Sequence, residues 1–151
     1  MSFGAGVLLW GVKASFLGYV SRSGGSVALT APAVYRDGVF GFPRTDSDEI
    51  EGTLSFAGGV RFVAHGGLLD VRLDSPSVTV GDTASISVVA SIGEGPKRLV
   101  IADLHASKAS FAEGQLVWLA KLSATGALLF ESTYPEGTEL DPVLILGPEP
   151  R

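Results

Sequence analysis

The sequence predicts a mainly β, sandwich-like single domain that spans residues 1–151 and carries two short α-helices. Its 151 residues are 46% hydrophobic and 18% charged, a composition that excludes disorder and suits a single hydrophobic core. Short segments rich in Val, Thr, Ser and Leu recur between turn signals about 8–12 residues apart, which is typical of sandwiches and barrels. Two other segments have the spacing of a helix instead.

The predicted strands are short segments in which side chains alternate between two faces. In chain order they are residues 7–10, 26–31, 38–42, 50–56, 60–65, 68–73, 77–80, 84–90, 98–106 and 116–122. Two Gly-Gly pairs, within residues 57–60 and 65–68, predict tight turns because glycine adopts positive φ without steric cost.

The two predicted helices lie over residues 11–21 and 124–131. In the first, Val12, Phe16 and Tyr19 fall at helical spacing, and a Ser-Gly-Gly segment ends the pattern. In the second, a serine or threonine cap precedes good helix formers. Pro135 then takes the chain out of regular structure.

Charge and composition exclude several classes of function. The formal net charge is −5 and the eleven Lys and Arg residues are scattered, whereas nucleic-acid binding needs a clustered basic surface. The absence of cysteine excludes disulfides, thiolate catalysis, zinc knuckles and iron–sulfur clusters. The longest apolar stretch near the start, residues 7–10, is too short for a membrane span or a signal-peptide core. We therefore expect no nucleic-acid partner, no transmembrane segment and no signal peptide in this chain.

The two histidines are the first candidates for chemistry. Alternation along the predicted strand places His105 and Asp103 on one face, toward solvent, where they form at best a partial metal site. His65 ends a predicted strand directly before a Gly-Gly turn, a position that suits a site residue. A partly buried histidine that bonds to backbone groups fits the same local pattern, which leaves both interpretations open.

Other polar motifs are weaker. The acidic run 46–51 lacks the length and the central glycine of an EF-hand loop, so it predicts a solvated loop. No serine lies in a Gly-x-Ser-x-Gly motif, and no glycine-rich lysine loop is placed to hold phosphate. Hydrolase and nucleotide-binding functions therefore lack their characteristic groups.

Ser15 and Tyr19 lie four residues apart on the first predicted helix, so their side chains share one face about one turn apart. Both can then touch the same ligand. The alternative is that Tyr19 packs in the core with its hydroxyl at the rim, which is common for tyrosine on an amphipathic helix.

Three blocks of sequence resemble the HtaA-type haem-binding domains of actinobacterial haem-uptake proteins. The opening block is WGVKASFLGYV at residues 10–20, and the central block is VRFVAHGGLLDV at 60–71. The closing block comprises LSATG at 122–126, YPEGT at 134–138 and LDPV at 140–143. These blocks follow the order of the family and span nearly the whole chain.

The resemblance implies a set of residue roles. A tyrosine on the first helix of that family is the axial iron ligand, a histidine of the central block hydrogen-bonds it, and a serine one turn earlier contacts the porphyrin. Those roles fall on Tyr19, His65 and Ser15. Phe16 and Phe62 are candidate apolar contacts for the macrocycle, with core packing as the equal alternative. The expected cofactor is ferric haem b.

The chemistry of such a site is consistent with a carrier. Free tyrosine has a pKa of about 10, and both ferric iron and a hydrogen-bond donor favour its phenolate. A phenolate is a hard ligand that prefers Fe(III), so reduction or protonation loosens the iron. Residues 44–51 depart from the family pattern as an insertion-like loop, so the resemblance implies no residues for the haem propionates.

We therefore expect reversible haem binding for uptake, transfer or storage, with another haem-transfer protein as a partner and self-association left open. The chain has no second well-placed histidine for a distal acid–base apparatus, so we expect it not to be an enzyme. A haem-independent β-sandwich adhesion or assembly module is the alternative, and a haem-degrading enzyme or peroxidase is a third option. The family is typically extracellular or at the cell surface, and without a signal this chain is either an excised domain or a cytoplasmic member.

Overall fold

The computed structural model describes residues 6–45, 52–91, 95–106 and 115–146. In chain order their elements are β1 Val7–Trp10, α1 Ala14–Arg22, β2 Ser26–Thr30, β3 Val34–Arg36, β4 Val39–Pro43, β5 Thr53–Ser55, β6 Gly59–Ala64, a 3-10 turn His65–Gly67, β7 Leu69–Val80, β8 Ala84–Ser91, β9 Pro96–Ala106, β10 Gln115–Leu122, α2 Ala124–Leu129 and β11 Glu139–Leu146. The acidic run 46–51, with the start of the strand predicted at 50–56, lies outside the described residues.

The strands form one antiparallel sheet that curls into a near-barrel. Its order is β2-β6-β7-β8-β9-β10-β11-β1-β4-β3, and β5 pairs with β7 beside this path. The two ends of the sheet are therefore β2 and β3. The mainly β class with two short helices, predicted from the sequence, is confirmed. No helix in the described part of the chain is long and apolar enough to cross a bilayer.

Aromatic rings hold the first helix against the hydrophobic core. Phe16 of α1 is fully buried, and its ring meets those of Phe62 on β6 and Phe130 after α2 edge to face, both with centroids 5.1 Å apart. Phe62 also meets Phe40 of β4 at 5.8 Å. Edge-to-face pairs stabilise by about 0.5–1.5 kcal/mol each beyond their burial. The buried face of α1 therefore has one fixed orientation.

Both helices are shorter than predicted, and the backbone gives the reason. The helix predicted at 11–21 begins only at Ala14, because Val12 has a φ of 63° and stands outside helical geometry. The helix predicted at 124–131 ends at Leu129, because Glu131 and Ser132 have φ values of 56° and 60°.

Two strands lie where none is predicted. The short β3 forms a hairpin with β4 across Asp37 and Gly38, whose φ values are 51° and 84°. Such an Asp-Gly pair is a strong hairpin signal in a sequence. The other strand, β11, contains Pro142, which has no N–H for a sheet ladder. The register of β10 against β11 shifts at this point, so Pro142 occupies a bulge where no donor is needed.

The segments predicted at 68–73 and 77–80 are one continuous strand, β7. Its first half pairs with β6, and its second half pairs with β5 and β8. A register shift between Asp74 and Ser77 and a φ of 49° at Ser75 bend the strand between its halves. The predicted turn at 57–60 joins β5 and β6, and Gly58 there has a φ of 102°.

Candidate functional site

Tyr19 and His65 meet at the surface although 46 positions separate them in the chain. The phenol Oη of Tyr19 lies 2.6 Å from the Nε2 atom of His65, a short hydrogen bond. Either atom can be the donor, according to which ring nitrogen of His65 carries the proton. The two ring centroids are 5.5 Å apart and the rings are tilted by 60°. The structure thus joins two of the residues that the sequence singles out.

The position of His65 depends on an unusual turn. His65, Gly66 and Gly67 have consecutive φ values of 54°, 66° and 99°. Residues other than glycine seldom adopt such angles, and local strain of this kind is often found at functional sites. The turn leads the chain out of β6 directly after the buried Ala64, which points into the core. His65 therefore leaves the plane of the sheet and reaches α1.

The position of Tyr19 depends on how α1 packs. Phe16 and Val20 are the buried residues of this helix, and Tyr19 is half-buried beside them with its ring against the core. Ser15 lies one turn before Tyr19 and is exposed. The helix therefore presents Ser15 and Tyr19 together on a face that solvent and ligands can reach.

The start of α1 is held by β11. No side chain of the N-cap residue Lys13 caps the helix, but Asp141 Oδ1 accepts a hydrogen bond from the Ala14 N–H at 3.2 Å. The backbone N–H of Asp141 donates to the Val12 carbonyl at 2.9 Å, and its carbonyl accepts from Trp10 Nε1 at 2.8 Å. Sequence reasoning did not identify Asp141 as a support of the site. It lies in the LDPV segment, whose link to the opening block is visible only in three dimensions.

The segment after α2 borders the same region. Ser123 caps α2, where its Oγ accepts from the Gly126 N–H at 2.9 Å, as the predicted serine cap requires. Beyond the helix, Glu131 Oε2 accepts a hydrogen bond from the Asp70 N–H at 3.2 Å. This bond ties the segment after α2 to β7, just past the turn that carries His65.

A leucine adds apolar surface next to the polar pair. Leu68, the residue that follows the turn, is 82% exposed, and its N–H donates to the His65 carbonyl at 3.2 Å. Single exposed leucines are ordinary on protein surfaces. This one follows the turn that carries His65 and gives an apolar ligand a surface to cover there. Sequence reasoning placed Leu68 in a strand and did not mark it as a site residue.

A charge pair lies on the outer face of the sheet near this turn. Arg61 donates two hydrogen bonds to Asp70, at 2.9 and 2.7 Å. These bonds hold the pKa of Asp70 below its usual value and raise the pKa of Arg61. Because the two charges are matched, the pair itself adds no net charge near the turn.

Phe16 and Phe62 are both fully buried. Their rings contact each other beneath the exposed face of α1, so they present no surface beside Tyr19. The core-packing alternative describes both residues in this structure, and they support the helix from behind.

His105 and Asp103 are both exposed on β9, as their alternation predicts. They line a cavity of about 550 Å³ together with Asp82 and Trp118. Within the ranges that the structure describes, no three His, Asp or Glu side chains come together as a metal site. The partial metal site predicted at His105 therefore gains no third ligand there.

The chain is similar to a known protein family and to several solved structures. The model of the Htaa family matches residues 5–145. The C-terminal domain of HtaA from Corynebacterium glutamicum is a similar structure, with a TM-score of 0.75, 26% identity and 94% of each chain covered. Its N-terminal domain has a TM-score of 0.72 at 25% identity and covers 97% of this chain and 98% of its own.

A third structure, of the heme binding protein HtaB from the same organism, shares the fold with a TM-score of 0.72. It is 18% identical and covers 94% of this chain and 91% of its own. A search of curated proteins finds no match.

Proposed function

The chain belongs to the HtaA family, and from this premise we propose that it binds ferric haem b reversibly, with the phenolate of Tyr19 as the axial ligand of the iron. Family membership supports a function that involves haem. The observation that carries the finer proposal is the 2.6 Å contact between Tyr19 Oη and His65 Nε2. It combines an oxygen that can bond ferric iron with a group that can stabilise the anionic form of that oxygen.

The roles of the two rings follow from their chemistry. A phenol must lose its proton to become a strong ligand, and a hydrogen bond donated to the resulting anion favours that loss. With its Nε2 protonated, His65 donates this bond to the Tyr19 oxygen. Partners of this kind orient a ligand and tune its basicity without touching the metal. His65 is therefore a positioning residue and Tyr19 the group that holds the iron.

The surroundings suit a flat, largely apolar ligand. Ser15 is exposed one turn before Tyr19 and offers a hydroxyl to the porphyrin. Leu68 offers exposed apolar surface directly after the turn that carries His65. Phe16 and Phe62 contribute indirectly, because their buried rings keep the exposed face of α1 in place.

The proposed chemistry favours capture and release over turnover. A phenolate prefers Fe(III), so reduction of the iron weakens the bond and releases haem. Of the two histidines, one already bonds Tyr19 and the other lies on β9. Neither is placed as a separate acid–base group for oxygen or peroxide chemistry. We therefore propose uptake, transfer or storage of haem, with a second haem-binding protein as donor or acceptor.

A titration followed by a transfer assay tests this function. Purified protein is titrated with hemin while the Soret band is recorded, and the complex is then mixed with excess apomyoglobin. We expect a saturable Soret change that ends at one equivalent of hemin, followed by transfer to apomyoglobin. Absence of a saturable change would reject haem binding and favour the adhesion or assembly alternative. A saturated complex that never releases hemin would reject the carrier role.

A further inference from the structure

The exposed face of α1 carries an arginine, Arg22, that has no role in the proposed binding of the iron. Ser15, Gly18, Tyr19 and Arg22 follow the spacing i, i+3, i+4, i+7, so all four lie on one face of the helix. Ser15 and Arg22 are exposed, and the other two are half-buried. A cation therefore shares the face that carries the proposed iron ligand.

The guanidinium of Arg22 lies along this face. A Cβ built on Gly18 would come within 2.9 Å of Arg22 Nη1 and 3.8 Å of Arg22 Cζ. The missing side chain of Gly18 thus leaves the space that the guanidinium occupies. The charge is displaced toward the start of the helix, next to the backbone of the residue that precedes Tyr19.

Nothing in the described part of the chain pairs with this charge. No carboxylate there lies within ion-pair distance of Arg22, whereas Arg61 bonds Asp70 and Lys13 Nζ donates to the Glu139 carbonyl. A cation in the last turn of a helix interacts favourably with the helix dipole, which accounts for an arginine at this position. The dipole favours charge near the last carbonyls, so it does not explain why the guanidinium folds back over Gly18.

We propose that Arg22 pairs with a propionate of the haem that Tyr19 holds. The inference rests on the proposed function and adds the recognition of the ligand's carboxylates. The propionates of haem are anionic at neutral pH, and this chain carries a formal net charge of −5, so an unpaired cation at the site offsets repulsion. The planar fork of a guanidinium also matches the geometry of a carboxylate.

The test compares hemin with its dimethyl ester, which has the same ring and iron but no propionate charge. Both are titrated into the wild-type protein, Arg22→Ala, Arg22→Lys and Arg36→Ala. Arg36 is exposed on β3 rather than on α1, so Arg36→Ala removes the same charge without changing the helix. Circular dichroism and denaturant unfolding of each variant establish that it is folded.

We expect Arg22→Ala to weaken hemin binding by about two- to fivefold, the range typical of a partly exposed charge pair. Arg22→Lys keeps the charge but not the planar guanidinium, so it should lose less hemin affinity than Arg22→Ala. Arg36→Ala should bind hemin as the wild type does. With the dimethyl ester, Arg22→Ala and the wild type should bind equally. The pairing is rejected if Arg22→Ala binds hemin normally or loses the same factor with both ligands. Failure of the wild type to bind hemin would reject the proposed function itself, and the pairing with it.

Discussion

The two histidines of this chain differ in backbone conformation and in their contacts. His65 sits in a turn of three residues with positive φ and makes a 2.6 Å hydrogen bond to Tyr19. His105 sits in the regular strand β9, opposite Leu119 of β10, and faces outward. Among the described residues no side chain hydrogen-bonds to His105. Both are histidines at exposed positions, but within the described ranges of the chain only His65 bonds to another side chain.

The comparison shows what the contact between His65 and Tyr19 requires from the backbone. A regular strand can direct a side chain only to one face of the sheet or the other. To reach the helix, the chain must leave the sheet, and residues 65–67 do so at the cost of positive φ at a position that is not glycine. His105 incurs no such cost and has no such contact. This difference should appear both in hemin binding and in the stability of the turn.

The largest effect should come from the proposed ligand. We expect Tyr19→Ala to weaken hemin binding by more than about 100-fold, because it removes the bond to iron itself, whereas loss of a residue that supports a metal ligand typically costs about 10- to 100-fold. Titration of hemin measures the affinity. Tyr35→Ala is the control, because Tyr35 is half exposed on β3 and its ring contacts Phe40 rather than His65. Equal losses in both variants would contradict the account.

The next effect should come from His65. We expect His65→Ala to weaken hemin binding by about 10- to 100-fold, less than Tyr19→Ala does, because the phenolate loses its stabilising hydrogen bond but keeps its oxygen. Size-exclusion chromatography establishes that the variant remains in the same oligomeric state as the wild type. A loss as large as that of Tyr19→Ala would mean that His65 itself contacts the iron.

A smaller effect should come from the turn. Gly67 has a φ of 99°, and a Cβ added there would meet no atom within 4 Å, so Gly67→Ala tests backbone strain alone. We expect a free energy of unfolding lower by about 1–3 kcal/mol. Gly81→Ala, near His105, is the control: its φ is not in the left-handed region and a Cβ meets only the Thr83 carbonyl at 3.8 Å. The free energy of unfolding of each variant is measured by urea denaturation. Equal losses in Gly67→Ala and Gly81→Ala would contradict the assignment of strain to this turn.

The smallest effect should come from His105. We expect His105→Ala to leave hemin affinity and the visible spectrum of the complex unchanged, because no contact links it to Tyr19. The same hemin titration measures this. A loss of hemin affinity as large as that of His65→Ala would contradict the assignment of different roles to the two histidines.

The sequence predicted much of the fold because its signals are local. The spacing of Val12, Phe16 and Tyr19 indicated α1. The four-residue separation of Ser15 and Tyr19 indicated the face that they share. The Asp37-Gly38 hairpin was overlooked although its signal is present. Strand β11 could not be predicted, because a proline such as Pro142 disfavours a strand in the local sequence. It is accommodated by the bulge opposite Leu119, which depends on pairing with β10.

The site was less predictable than the fold, because its contacts are not local. The periodicity of the sequence identified His65 and Tyr19 only as separate candidates. The two residues are 46 positions apart, and only the resemblance to a family predicted that they interact. The support of α1 by Asp141 and the exposure of Leu68 depend on how distant segments pack. The direction of the Arg22 side chain depends on the space above Gly18. No local pattern encodes these features.

The central claim is that Tyr19 holds the iron, and the visible spectrum of the ferric complex tests it most directly. Hemin is added to the wild type and to Tyr19→Phe, which keeps the ring and removes only the oxygen, at protein concentrations high enough to saturate binding. We predict a high-spin tyrosinate-type spectrum for the wild type and its loss in Tyr19→Phe, while Tyr35→Phe retains it. The same tyrosinate spectrum in Tyr19→Phe would contradict the account, because another oxygen would then be the ligand.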